Sequence, residues 1–221
     1  MTRPALALLS AAALSVPGGA WGGEVRGTAR LEGPVPAAAP MEATKEKAVC
    51  GETVPDDSIQ VANGRLRNVV VIVKGAPAPA PGTAVLDQKT CRFVPHVQAV
   101  AVGSTLDIVN GDPTLHNVHG YLGQATAFNV ALPGKDQRVP RKLARPGIVA
   151  VRCDVHAWMS AYVVVADAPF AVTGEDGSFV VPGVPPGTWT VTAWHEKLGE
   201  RTATVTVPPT GAATVEFSFG K

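Results

Sequence analysis

Turn-forming residues recur roughly every 8–14 positions along this chain, and that spacing governs what it can fold into. The 221 residues include 23 Gly and 20 Pro, about a fifth of the total. Between them lie short stretches rich in Val and Thr. A useful helix needs a longer unbroken run than these intervals allow, whereas a strand needs only about five or six residues. The pattern predicts an all-β chain of antiparallel sandwich type rather than alternating strand and helix units. Strands are expected over residues 25–31, 69–73, 93–102, 105–109, 116–121, 128–132, 147–153 and 161–165. Ile59 and Val61 lead into Asn63-Gly64, a strong hairpin signal, and Leu66 begins the return. Residues 42–49 suit one helical turn, and 76–82 read as a stiff Pro/Ala connector.

The texture changes near residues 166–169. Beyond them Asp176-Gly177 reads as a hairpin turn and 182–187 as a Pro/Gly turn, among strands at 179–181, 189–194, 202–207 and 214–219. This tail of roughly 50 residues is small for an independent core and is expected to pack on the first domain. At the other end, Arg3 precedes an apolar run over 5–16 and small residues up to Gly23. That is the make-up of a secretory signal, too short for a membrane span, with cleavage placed after Gly22. The expected division is therefore a signal at 1–22, a first domain at 23–166 and a smaller β-sandwich at 167–221. The mature chain is expected in the periplasm or secreted, as a monomer without a membrane span. A net charge of +1 with no basic stripe argues against nucleic acid as partner. With 46% apolar and 17% charged residues, the chain has ample material for a core.

Export makes the three cysteines informative, because an odd count leaves one thiol over. Cys50 and Cys91 lie in unremarkable sequence; pairing them would close a loop worth about 4 kcal/mol in the chain-entropy model. Cys153 instead opens Cys153-Asp154-Val155-His156-Ala157-Trp158-Met159, where thiolate, imidazole and thioether recur at three-residue spacing between two expected strands. Soft sulfur with imidazole selects copper over Mg or Ca. His116 supplies the second imidazole, and two His, one Cys and a weak axial Met make up a blue-copper set. Met159 alone would read as a core residue; its register with Cys153 and His156 marks it as a ligand. His119 points away from His116 on a strand and is read as non-ligating. His96 and His195 are expected at the surface or in hydrogen bonds. No Ser/His/Asp set, paired carboxylates, phosphate loop or Rossmann fingerprint is visible, and a copper with all positions filled or shielded leaves no substrate site, so no enzyme is expected.

Residues 103–165, with Gly103-Ser104-Thr105, His116-Asn117-Val118-His119 and the Cys-x-x-His-x-x-Met loop, resemble amicyanin and plastocyanin, the small type 1 copper cupredoxins. The resemblance implies a Greek-key cupredoxin β-sandwich and one mononuclear copper, cycling between Cu(I) and Cu(II), on His116, Cys153, His156 and Met159. It also implies that Asn117 ties the His116 segment to the backbone beside Cys153. Asp154 is read as a loop hydrogen-bond partner and Trp158 as a shield over the metal. The insert at 42–81 and the Cys50/Cys91 pair depart from the small family members. The tail resembles the carboxypeptidase-regulatory-like, or transthyretin-like, sandwich module through Asp176-Gly177-Ser178-Phe179 and Val184-Pro185-Pro186-Gly187-Thr188-Trp189. The implied function is transfer of single electrons between redox protein partners. A copper carrier or sensor on the same ligands, or an adhesive module with a vestigial site, are the alternatives.

Overall fold

Alternating side chains decide which face of each strand is buried. In Thr105–Asn110, Leu106, Ile108 and Asn110 turn inward while Thr105, Asp107 and Val109 turn outward. At Asn63-Gly64 both residues take positive φ, 51° and 73°, as a tight hairpin of matching twist requires, and Val61 pairs with Leu66 across it. The computed structural model describes residues 23–36 and 38–220. The expected signal at 1–22 lies outside the described residues. The regular structure of the described residues is almost entirely β-strand; their one α-helix is Lys47–Cys50.

Among the described residues, four of the five sheets stack as two sandwiches; the fifth is the two-stranded pair Met41–Glu42 and Thr53–Val54. One sheet of the first holds, in order, Arg138–Lys142, Thr105–Asn110, Thr83–Gln88 and Phe93–Val94. Its facing sheet holds Ala125–Leu132, His116–Leu122, Gly147–Arg152, Ser160–Ala166 and Val97–Ala101. Leu86, Leu106, Ile108, Val118, Leu132, Val151 and Val163 fill the space between them. In the second sandwich, Glu24–Leu31 lies between Ser178–Pro182 and Ala212–Phe219, with the Arg65–Leu66 hairpin at its end. The opposing sheet runs Phe170–Val172, Val70–Lys74, Gly187–His195, Gly199–Val207. Val25, Leu66, Val71, Val191, Phe217 and Phe219 pack between these sheets.

The expected boundary at 166/167 therefore cuts through two sheets. Glu24–Leu31 runs parallel to Ala212–Phe219 from Glu24↔Ala212 to Leu31↔Phe219, and Val70–Lys74 is held between two strands of the tail. The tail does not make a domain alone. It completes a sandwich whose other strands come from the N-terminal segment, and the first sandwich is inserted between the two parts. The reason is size: the tail's strands cannot bury their apolar faces against one another, and the N-terminal strands supply the missing layer. Val70–Lys74 reads as a continuous apolar run because both of its faces are buried. Val71 and Val73 enter the second core, while Val70 and Ile72 pack against Val97, Val164, Ala166 and Ala168 between the sandwiches.

Other expectations are also revised. Asp176-Gly177 is a turn but not a hairpin; it carries the chain from Phe170–Val172 in one sheet to Ser178–Pro182 in the other. The strand expected over 93–102 is broken at Pro95 into Phe93–Val94 and Val97–Ala101. Thr83–Gln88 and Arg138–Lys142 were not anticipated. The latter is an edge strand with Pro140 and three basic residues, a composition that guards a sheet edge and reads as a loop.

His195 is buried, with Nδ1 accepting the Lys197 N–H at 3.2 Å. Burial lowers its pKa to about 4. The unfolded imidazole binds a proton near pH 6.5 while the folded one refuses it down to about 4, so stability falls as pH drops through that interval. The full loss attributable to His195 is about 3 kcal/mol. Melting temperatures measured between pH 7 and 4 should fall less steeply for His195→Gln than for the wild type. Equal slopes would remove His195 as a source of the acid sensitivity.

Candidate metal centre

The candidate ligands come from two adjoining elements. His116 opens the strand His116–Leu122, and Cys153 follows immediately on Gly147–Arg152, its hydrogen-bonded neighbour. The chain after Cys153 folds back at once. Met159 N–H donates to the His156 carbonyl at 2.9 Å and Cys153 N–H to the Met159 carbonyl at 3.4 Å, so the three-residue spacings become one closed loop. Gly120 gives the His116 strand room beneath Phe128: a Cβ there would stand 2.5 Å from the ring.

The structure brings together His116, Cys153 and His156. Nδ1 of His116 is 2.9 Å from Nδ1 of His156, and Cys153 Sγ is 3.7 Å from the same His156 nitrogen. One ligand atom from each of the three lies within 4.8 Å of the others. His116 and His156 are fully buried, Cys153 is 4% exposed and Met159 1%. Met159 packs in the same core as Cys153. Burial, with His116 alongside, lowers the His156 pKa to about 4, so its imidazole is neutral at ordinary pH and its lone pair is available. A thiol and two imidazole nitrogens, with a thioether on the same loop and no carboxylate oxygen among the converging atoms, form a soft donor set that fits copper.

The surrounding residues fall into two groups. Asn117 Oδ1 accepts the Asp154 N–H at 2.6 Å and its Nδ2 donates to Asp154 Oδ2 at 2.7 Å, which ties the two ligand-bearing strands beside Cys153. Asp154 also bonds His119 Nδ1 at 3.1 Å, and His119 stacks on Tyr121 at 4.0 Å on the far side of the sheet from the ligands. His96 is paired with Glu196 and the Ser160 carbonyl. Trp158 lies 5.1 Å from the His156 ring and donates Nε1–H to the Cys91 carbonyl at 3.1 Å.

Two features escaped the sequence reading. The first is the cover. The Cys50–Cys91 disulfide is present, and both its sulfurs lie within 4.8 Å of a His156 ring nitrogen and of each other. With Lys45 Nζ donating to the Val155 carbonyl at 3.4 Å, the 42–54 segment forms a cover over the loop. The second is Asp112, whose Oδ2 accepts from His116 Nε2 at 2.9 Å. Only its position four residues before His116 could have drawn attention to it.

Fold and site thus define a cupredoxin-like domain with a soft Cys/His/Met site. No family model matches the chain. The plastocyanins of Ulva pertusa and Ulva arasakii are each 32% identical to it over 79 residues, which span 81% of the plastocyanin and 32% of this chain. Among solved structures, amicyanin from Paracoccus versutus aligns at 21% identity and a TM-score of 0.35, covering 43% of this chain and 97% of amicyanin. A purple cupredoxin from Nitrosopumilus maritimus aligns at 19% identity and a TM-score of 0.34, covering 38% and 99%. The chain belongs to the plastocyanin family of cupredoxins.

Replacing both Cys50 and Cys91 by Ser should lower the melting temperature, by an amount corresponding to at most about 4 kcal/mol. It should also loosen the cover, so that a thiol reagent modifies Cys153 faster in the metal-free double variant than in the wild type. Unchanged melting and unchanged labelling would show that the disulfide neither stabilises the fold nor guards the site.

Proposed function

We propose that this protein is an exported electron carrier in which Cys153, His116 and His156 would hold one copper ion, with Met159 as a fourth, weaker donor. The observation that carries the reading is the convergence of His116 Nδ1, His156 Nδ1 and Cys153 Sγ in a buried cluster. Bound copper would supply a one-electron couple. The chain's part is to offer one sulfur and two imidazole nitrogens from rigid, hydrogen-bonded elements and to exclude water around them. Fixed donors reorganise little between oxidation states, which favours fast exchange of single electrons with redox protein partners. A copper carrier or sensor would need a site open to ligand exchange; burial of all four side chains favours electron transfer over delivery.

Nothing in this reading requires a substrate position, so no enzymatic reaction is proposed. Export rests on the signal-like composition of residues 1–22; among the described residues, no helix is long and apolar enough to cross a membrane. The likeness of the tail to a carboxypeptidase-regulatory-like module is retained for its sequence motifs, and the role proposed for it is structural, as half of the second sandwich.

Two variants test the site. Copper-loaded wild type should show an intense thiolate-to-Cu(II) band, and Cys153→Ser should lose it while staying folded; an unchanged spectrum would eliminate the assignment. Met159→Leu keeps volume and apolarity, at a cost under about 1.5 kcal/mol. It should stay blue with a raised reduction potential, because Cu(II) loses an electron-pair donor. Met159→Gln should lower the potential. Equal potentials in all three proteins would leave Met159 as a core residue only.

A further inference from the structure

The two histidines of the centre differ on their outer edges. Nε2 of His156 is buried without a hydrogen-bond partner among the described residues. Nε2 of His116 meets a carboxylate, Asp112, which is itself only 5% exposed. Asp112 Oδ1 receives the Thr90 N–H at 2.7 Å, and Oδ2 receives the Cys91 N–H at 2.8 Å as well as the His116 ring. Its own N–H is held by Asn110 Oδ1 at 3.0 Å, and Asn110 Nδ2 donates in turn to the Thr114 and Leu132 carbonyls at 2.8 and 3.0 Å. Thr90 and Cys91 both have a φ of 52°, a region that residues other than Gly seldom occupy, and the carboxylate receives the N–H of each. Asp112 therefore cannot turn away from His116 without breaking the disulfide-bearing turn.

We propose that Asp112 is a positioning residue of the metal centre: it fixes His116 as the Nε2-protonated tautomer, with Nδ1 free for the metal, and sets a negative charge behind that ring that favours Cu(II) over Cu(I). This rests on the copper reading above. An ionised carboxylate can only accept, so the nitrogen facing it must carry the hydrogen and the other must carry the lone pair. Charge counting gives the preference. The Cys153 thiolate and Asp112 bring two negative charges, which neutralise a divalent ion and leave a monovalent one in excess of negative charge inside a poorly polarisable core. Asp112 is not a ligand of a separate site with Cys91, because that sulfur is committed to the disulfide.

Two measurements test this. Long-range proton–nitrogen correlation spectra of the metal-free wild type should show His116 protonated at Nε2; a ring protonated at Nδ1 overturns the proposal without reference to copper. Asp112→Asn should then weaken Cu(II) binding by about tenfold or more. Cu(I) binding should weaken less, and the reduction potential should rise. Equal losses for both ions, with the potential unchanged, would reduce Asp112 to a brace for the 90–91 turn and overturn the charge role. Should Asp112→Asn fail to fold, the tautomer in the wild type still decides the positioning role. A wild type that takes up no copper overturns the copper reading and the preference for Cu(II) with it, while the tautomer stands or falls separately.

Discussion

The eight-residue parallel ladder between Glu24–Leu31 and Ala212–Phe219 brings the two ends of the described chain into one sheet, and the remaining architecture follows from it. Neither end has enough apolar strand to close a core alone. Once they are joined, Val25, Ala29, Phe217 and Phe219 face Val71, Val191 and Val205 across a common interior. The chain between Lys74 and Phe170 must then leave and re-enter the same sheet through neighbouring strands. The first sandwich is built within that excursion, and Val70 and Ile72 with Val97, Val164 and Trp194 fasten it to the second.

That arrangement places the N-terminal segment beside the candidate metal centre. Residues 42–54 leave the second sandwich, reach the His156 loop and are stapled there by Cys50–Cys91. The cover explains how four polar or polarisable side chains come to be sealed from solvent in a small domain. Burying imidazoles and a thiol is unfavourable unless they are partnered or will hold a cation. The loop hydrogen bonds, Trp158 and Asp112 partner some of the polar groups, and the free nitrogens converge on one another.

The candidate donors could be picked out from the chain because their chemistry is local. Cys153, His156 and Met159 lie at fixed spacing on one short segment, and residue type alone marks them as soft ligands. His116 was reachable through the motif around it. Asn117 and Asp154 meet because adjacent strands bring them together, a relation hinted at by the resemblance. Asp112 was less legible, since a carboxylate four residues before a histidine has many ordinary uses. Its role depends on a turn that lies at Thr90 and Cys91.

The sequence by itself determined the all-β class, the hairpin at Asn63-Gly64, the loop of soft donor atoms from Cys153 to Met159 and the odd cysteine, because turn chemistry, side-chain alternation and donor softness act over a few residues. Which strands share a sheet was decided only in three dimensions. The tail's alternating Thr and Val residues are satisfied by any complementary apolar layer, and nothing local names Glu24–Leu31 and Val70–Lys74 as that layer. The same holds for the cover over His156 and the carboxylate behind His116. Both join residues far apart in sequence or separated by a turn, and only the packing of the whole chain sets those distances.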